Sequence, residues 1–161
     1  MPTVAVNMVD AYIFRRINAR AQYLLLLRRP DLPLGNTWQG IHGKVMDHES
    51  ALEAARRAMI DQTGLTAVQS YSVDYVNQFY DHQTDTLVFA PVFAFEVIGR
   101  PALRLGEEYC DSAWCDKDEA TARLLWAGPR WAIRRIDEVI AHGGEDADFY
   151  RIPARELAHD S

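Results

Sequence analysis

The segment from residue 43 to residue 65 constrains the fold more than any other part of the chain. Residues 50–63 carry apolar side chains at three- and four-residue spacing, which is typical of a helix with one buried face. These apolar positions are Leu52, Ala55 and Met59. Gly64 follows, and glycine after the last turn is a common helix end. At the other end, Gly43 lets the backbone approach a ligand closely, so the sequence predicts a helix beside a binding turn.

The same segment resembles the Nudix hydrolase box, G-x5-E-x7-R-E-U-x-E-E-x-G-U, where U is a bulky aliphatic residue. The residues that match at the right spacing are Gly43, Glu49, Arg57, Met59, Gly64 and Leu65. The resemblance implies an α/β domain, a Nudix-like α/β/α sandwich around a mixed β-sheet. It also implies hydrolysis of a diphosphate linkage, with divalent metal bound between the substrate and the box glutamates. Mg²⁺, or Mn²⁺ in its place, would be the cofactor.

The box departs from the family pattern at its carboxylates. In the family, three glutamates follow the arginine at helix positions i, i+3 and i+4, which share one face. Here the three positions hold Ala58, Asp61 and Gln62. Asp61 keeps a carboxylate, Ala58 cannot bind metal, and Gln62 offers only a neutral carbonyl oxygen, which Mg²⁺ binds less well. The sequence therefore predicts weakened metal binding, with the ion carried in largely by the substrate.

A second group of residues resembles the dihydroneopterin triphosphate pyrophosphohydrolase branch of the family. Trp38 and Gln39 precede the box, Glu108 stands six residues before Trp114, and residues 130–133 read Arg-Trp-Ala-Ile. The resemblance implies a nucleoside or pterin triphosphate as substrate. The alternative is a catalytically inactive Nudix-fold module that binds a nucleotide, and a structural member without a ligand is a third reading.

The resemblance and the residue types together give a candidate site. The predicted catalytic residues are Glu49, Arg57 and Glu108. The predicted metal ligands are Asp61, Glu49, Gln62 and Glu108. The predicted substrate-binding residues are Arg28, Lys44, Gly43, His42 and Trp38. Glu53, one helical turn before Arg57, could lend a further carboxylate at the edge of the site, and the base that activates water is unassigned.

The rest of the chain reads as strands around a few helices, as in a layered α/β/α domain. The predicted strands are residues 3–14, 22–29, 68–80, 86–97 and 113–116, and residues 38–45 are predicted as a short strand or turn. The predicted later helices are residues 117–125 and 130–141, split by Gly128-Pro129. We expect one Nudix-like domain over residues 1–144 and a polar tail over residues 145–161. Phe149 and Tyr150 would pin this tail to the domain.

Composition limits the partners and the location. With 161 residues and a net charge of -6, the chain lacks the concentrated basic surface that a nucleic-acid duplex requires. Its most apolar stretch, residues 87–98, is too short to span a bilayer. No signal peptide is visible, and the two cysteines predict reduced thiols, so we expect a cytoplasmic protein. The partner would be a small nucleotide or triphosphate, and a homodimer is left open.

Overall fold

The computed structural model describes residues 1–154, and its centre is a mixed β-sheet. Within those residues the sheet has eight strands. They are β1 Thr3–Ala5, β2 Met8–Ile17, β3 Arg20–Arg28, β4 Trp38–Gln39, β5 Ile41–Lys44, β6 Gln69–Asp81, β7 Thr86–Glu96 and β8 Tyr109–Cys115. Strands β1 and β2 run parallel to β7, whereas the other strand pairs are antiparallel. The mixed sheet predicted from the sequence is therefore confirmed.

Helices cover both faces of the sheet. They are α1 Ala51–Thr63, α2 Lys117–Arg123 and α3 Ala127–Ile136, followed by a π-helical turn Asp137–Ala141 and a 3₁₀ helix Gly144–Phe149. Helix α1 packs on β2, β5 and β7, while α2 and α3 pack on β3 and β6. This is the predicted α/β/α sandwich. In the described part of the chain, no helix combines the length and apolar character that crossing a membrane requires.

The sheet separates two hydrophobic cores because side chains alternate between its faces along each strand. On β2, Val9 and Ala11 join the core beneath α1, whereas Tyr12 and Phe14 join the core beneath α3. Strand β3 contributes to both cores, and its residues 23–26 are at most 2% exposed. Its continuous apolar sequence is typical of a strand that is buried on both faces.

The prediction of one continuous strand over residues 3–14 is wrong, because the structure has two strands there. Thr3 pairs with Thr86 and Asp10 pairs with Val92, so the register against β7 changes by one residue between β1 and β2. The extra residue interrupts the ladder, and two strands result. The last predicted strand is also longer than expected, because β8 pairs with β3 along its whole length.

Gly128-Pro129 does not separate two helices as predicted. Both residues lie in the first turn of α3, and the break comes before it. Proline is tolerated there because the first N–H groups of a helix have no partner within the helix. The side chain of Asn77 packs against Gly128 so closely that a Cβ at position 128 would lie 2.1 Å from Asn77 Oδ1. The pair therefore starts a helix instead of ending one.

The segment after α3 stays close to the domain. Tyr150 packs on the core beneath α3, and its carbonyl oxygen accepts from the Ser72 N–H at 2.9 Å. The prediction that Phe149 pins this segment is wrong, since its side chain is 89% exposed. The remainder of the predicted tail, residues 155–161, lies outside the described residues.

Candidate functional site

A cleft opens along one edge of β5, between α1 and the loop that precedes β8. Strand β5 pairs with β2 along its other edge, and in the described chain no strand covers the edge at the cleft. The cleft has a volume of about 510 Å³. Its lining residues are His42, Gly43, Lys44, Arg57, Ala58, Asp61 and Gln62, together with residues 104–108.

An ion pair ties the turn before α1 to the helix itself. Arg57 Nε donates to Glu49 Oε2 at 2.9 Å, and Arg57 Nη2 donates to Glu49 Oε1 at 2.9 Å. The same Nη2 donates to the carbonyl oxygen of Lys44 at 2.8 Å. Arg57 therefore joins the backbone of Lys44 to the bidentate contact with Glu49 at the cleft.

Electrostatics keep this pair charged over a wide pH range. The hydrogen bond from Arg57, followed by one from the Met46 N–H, lowers the pKa of Glu49 from its ordinary 4.5 to about 2. The same contact with Glu49 raises the pKa of Arg57. Because both carboxylate oxygens of Glu49 already accept hydrogen bonds, the pair acts as a brace for the turn.

Gly43 and Ala58 bring β5 and α1 into close contact. A Cβ built on Gly43 would lie 3.0 Å from the Cβ of Ala58, which is tighter than most contacts between such atoms. Ala58 is 3% exposed. Because glycine has no side chain, α1 and β5 can lie this close together at the base of the cleft.

Gln62 has both ends of its side-chain amide bound to protein. Its Nε2 donates to the carbonyl oxygen of His42 at 2.6 Å, and its Oε1 accepts from the Tyr109 hydroxyl at 3.1 Å. Burial raises the pKa of Tyr109 to about 12, so this hydroxyl keeps its proton at neutral pH. The amide joins α1, β5 and β8 at the back of the cleft.

The outer wall of the cleft is held by main-chain hydrogen bonds. Arg104 N donates to Thr63 O at 2.9 Å, and Gly106 N donates to Gln62 O at 3.0 Å, so the loop follows the end of α1. On its other side, Arg29 N donates to Glu108 O at 2.9 Å. The loop is therefore fixed between the helix and β3.

Two acidic side chains of the predicted site meet in this cleft from different elements. Asp61 lies on α1, where its side chain is 66% exposed and its Oδ2 is 3.9 Å from Arg57 Nη1. Glu108 lies on the loop, and its carboxylate folds over Gly106, where a Cβ would be 2.9 Å from Oε2. Both residues line the same cleft.

The magnesium ion implied by the family resemblance does not fit the residues present. Over residues 1–154, no group of three or more His, Cys, Asp or Glu side chains is placed to hold a metal ion. Gln62 is bound to protein at both ends, Asp61 lies beside Arg57, and Ala58 has no donor atom. A helix face with one carboxylate falls short of the several oxygen ligands that Mg²⁺ takes.

The structure brings most of the predicted site residues together and leaves three outside the cleft lining. Arg28 donates through Nε to the carbonyl oxygen of Pro33, and Glu49 serves the brace. Trp38 packs on the core beneath α3, with the Arg123 guanidinium 4.7 Å from its ring.

Another carboxylate suggested by the sequence, that of Glu53, also has a structural partner. It accepts from the Ser50 N–H at 2.9 Å and completes a capping box with the Ser50 hydroxyl. It is not among the residues that line the cleft.

Sequence reasoning missed part of the outer wall. The missed residues are Arg104, Leu105, Gly106 and Glu107. Only the acidic pair Glu107-Glu108 offered a signal, because a loop reaches a helix end through backbone hydrogen bonds that no residue pattern records.

With this geometry in place, the family can be stated. The NUDIX domain family model matches residues 6–136, which is most of the chain. The protein therefore belongs to the Nudix family. The resemblance in sequence rested on box residues that include Gly43, Glu49 and Arg57, and the structure pairs the last two.

Several solved structures share the fold. The Ap4A hydrolase of C. elegans has a TM-score of 0.70 at 18% identity, over 83% of this chain and 96% of that chain. The dihydroneopterin triphosphate pyrophosphohydrolase of E. coli has a TM-score of 0.69 at 18% identity, over 84% and 97%. The NUDIX domain of Shewanella oneidensis NrtR, solved with ADP ribose, has a TM-score of 0.67 at 15% identity, over 86% and 88%. At these identities the likeness shows the fold alone.

One curated relative is closer in sequence. An octanoyltransferase of Myxococcus xanthus is 33% identical over 117 residues, which is 71% of this chain. The matched part is 32% of that protein's length, so the chain spans about a third of this relative.

Proposed function

We propose that this protein binds a small molecule with a diphosphate group, of the nucleotide or pterin triphosphate class, in the cleft beside β5. We further propose that it does so without a magnesium ion held by its own side chains. The observation that carries this proposal is the side chain of Gln62. Its amide stands where the family places a carboxylate, and both of its ends bind protein.

Positive charge for the diphosphate comes from the two walls of the cleft. Lys44 stands on β5 beside the glycine turn, and Arg104 stands on the opposite loop. Both side chains are exposed, and such groups bind phosphate oxygens through charge-assisted hydrogen bonds. Two fold relatives support the ligand class, since one was solved with ADP ribose and another is named for a pterin triphosphate.

Calorimetry in the presence of a chelator tests this proposal. ADP-ribose, GTP and inorganic tripolyphosphate are the probes, and at least one should bind without divalent metal. Lys44→Ala should weaken its binding by about tenfold, the equivalent of roughly 1.4 kcal/mol. Lys117→Ala removes the same charge from the exposed start of α2 and should change nothing. Binding that needs added Mg²⁺ for every probe would contradict the proposal.

A second candidate function is hydrolysis of the diphosphate linkage, with metal carried in by the substrate. The carboxylates of Asp61 and Glu108 in one cleft favour it, and so do the hydrolases among the fold relatives. A phosphate-release screen over nucleoside triphosphates, nucleotide sugars and dinucleoside polyphosphates, with Mg²⁺ and with Mn²⁺, tests it. Where turnover is found, Glu108→Gln should lower it at least about tenfold. The matched control Glu145→Gln lies on the exposed 3₁₀ helix and should leave it unchanged.

Restoring the carboxylates separates the two functions. The double substitution Ala58→Glu with Gln62→Glu rebuilds three carboxylates on one helix face together with Asp61. If the cleft still positions a substrate for cleavage, activity should rise above the parent. Metal binding without such a rise would leave recognition as the function of the cleft.

A further inference from the structure

We propose that His42 determines the specificity of the cleft by accepting a hydrogen bond from a ring N–H of the bound molecule. In this proposal, buried Asp10 is a positioning residue that fixes which ring nitrogen of His42 is free. The inference rests on the proposed function, since it needs a ligand in the same cleft. It adds the chemical class of the group attached to the phosphates.

Asp10 is a buried carboxylate with two fixed partners. The residue is 4% exposed and lies directly opposite His42 in the β2–β5 ladder. Its Oδ1 is 2.5 Å from His42 Nδ1, and its Oδ2 accepts from Asn77 Nδ2 at 2.9 Å. Asn77 is itself held against Gly128 in the first turn of α3. Three strands and a helix therefore define the position of this carboxylate.

These contacts assign the proton on the imidazole ring. A carboxylate can only accept hydrogen bonds, so His42 Nδ1 must donate to Asp10. In the neutral ring, Nε2 then carries no proton and is an acceptor. Burying a carboxylate is costly unless hydrogen-bond partners offset the loss of water. One of the two partners of Asp10 is His42, and the side chain of His42 is still 34% exposed and can reach a ligand.

The position of His42 suits a ligand that bends around the edge of β5. Ile41 belongs to the core beneath α1, and Gly43 faces Ala58, so the alternation of β5 directs His42 to the opposite face. The edge of β5 that borders the cleft is uncovered in the described chain. A molecule with its phosphates at Gly43 and Lys44 can therefore place its other end against His42.

An acceptor at this point selects a ring that offers an N–H. Guanine, uracil and pterin rings carry such an N–H, whereas adenine and cytosine in nucleotides donate only through exocyclic amino groups. We therefore expect the cleft to prefer the first group over the second when the phosphates are the same.

The ring nitrogens can be observed directly by long-range ¹H–¹⁵N NMR at a pH where the histidines are neutral. The chain has five histidines, and His42→Gln identifies the signals of His42 by their loss. We expect the Nδ1–H form in the parent protein. In Asp10→Asn, the new amide can donate to Nδ1, so the signals should move toward the Nε2–H form. An Nε2–H form in the parent would overturn the inference, and this measurement needs no ligand.

Matched ligands test the recognition step in the presence of chelator. The probes are GTP, N1-methyl-GTP and inorganic tripolyphosphate. Loss of one hydrogen bond should make N1-methyl-GTP bind about three- to tenfold more weakly than GTP. His42→Ala and Asp10→Asn should both remove this difference, and Asp10→Asn keeps the bulk of the ring. Tripolyphosphate should bind the parent and His42→Ala equally.

The outcomes separate this inference from the proposed function. If GTP and tripolyphosphate bind and methylation changes nothing, His42 does not accept from the ring and the inference fails alone. If ADP-ribose, GTP and tripolyphosphate all fail to bind while the Nδ1–H form is observed, the proposed function fails, and the role of His42 in recognition fails with it.

Discussion

At the scale of single residues, Gln62 decides how the site differs from the family pattern. Glutamine and glutamate have nearly the same shape, but only the amide can donate to the carbonyl oxygen of His42 while accepting from Tyr109. A neutral side chain at this position therefore stabilises the fold by a contact that a carboxylate would lose.

Gln62→Glu should destabilise the protein in chelator by about 1–3 kcal/mol, because a carboxylate would face a carbonyl oxygen. Mg²⁺ should recover part of the loss if it binds the folded form preferentially. Urea denaturation with and without Mg²⁺ measures both effects. Gln78→Glu adds the same charge at an exposed position of β6 and serves as the control. Equal stability of Gln62→Glu and the parent in chelator would show that the amide contacts contribute nothing.

Glu49 should make the stability of the protein depend on acid. Its pKa is about 2 in the folded state and 4.5 ordinarily, so between these values the unfolded chain binds more protons than the folded protein. The contribution of Glu49 is therefore complete above pH 4.5 and is lost as the pH falls toward 2. Glu49→Gln should lose less stability than the parent across this window, as measured by thermal unfolding. Glu145→Gln should keep the parent's slope, and an unchanged slope in Glu49→Gln would contradict the argument.

Part of the site could be predicted at this scale and part could not. The spacing of Glu49, Arg57 and Asp61 along one segment was visible, because a helix turns regular spacing into proximity. The bonds of Gln62 were not visible, since they depend on a strand carbonyl and on Tyr109, which lies 47 residues further along the chain.

At the scale of elements, the ends of α1 explain why the cleft has a fixed shape. The helix begins with a capping box at Ser50 and Glu53 and ends at Gly64, which has a φ of 73°. The loop that forms the outer wall is bound to this end, because Arg104 N donates to Thr63 O. The last turn of the helix therefore places the wall.

Gly64→Ala should cost more stability than a left-handed conformation alone explains. Such a conformation costs roughly 1–2 kcal/mol for a residue with a Cβ. At Gly64, the added Cβ would also lie 3.2 Å from Arg104 Cβ. Gly99→Ala is the matched control, with a φ of 72° and no atom within 4 Å of its Cβ. Urea denaturation compares the two variants. Equal losses of stability would mean that the loop at Arg104 moves away from the added Cβ without cost.

Sequence patterns predicted elements better than they predicted where elements begin. The existence of β3 and the extent of α1 followed from their apolar residues and from Gly64. The division between β1 and β2 could not be predicted, because it comes from a change of register in their pairing with β7, which lies far along the chain. Pro129 misled for a related reason, since a proline breaks the interior of a helix and is accepted in its first turn.

At the scale of the whole molecule, one sheet joins two cores that share no face. Met59 lies in the core beneath α1, and Ile136 lies in the core beneath α3. Each is at most 1% exposed. A change in either core acts on the same strands, so we expect the domain to unfold as one unit.

Met59→Ala and Ile136→Ala should each cost about 2–5 kcal/mol, the usual cost of a cavity in a core. For each variant, near- and far-ultraviolet circular dichroism should report one coincident transition. The control is Ile98→Ala, because Ile98 is 74% exposed and its loss should change the stability little. Separate transitions in either variant would show that the two cores unfold independently.

The loop that forms the outer wall of the cleft is fixed by its backbone at both ends, to Thr63 and Gln62 on one side and to Arg29 on the other. Its exposed side chains take no part in these three bonds. The side chains of residues 104 and 107 are exposed, so these two residues can be exchanged while the wall keeps its place. During evolution, point substitutions at these positions can therefore change which ligand the cleft binds while the backbone bonds that hold the loop stay the same.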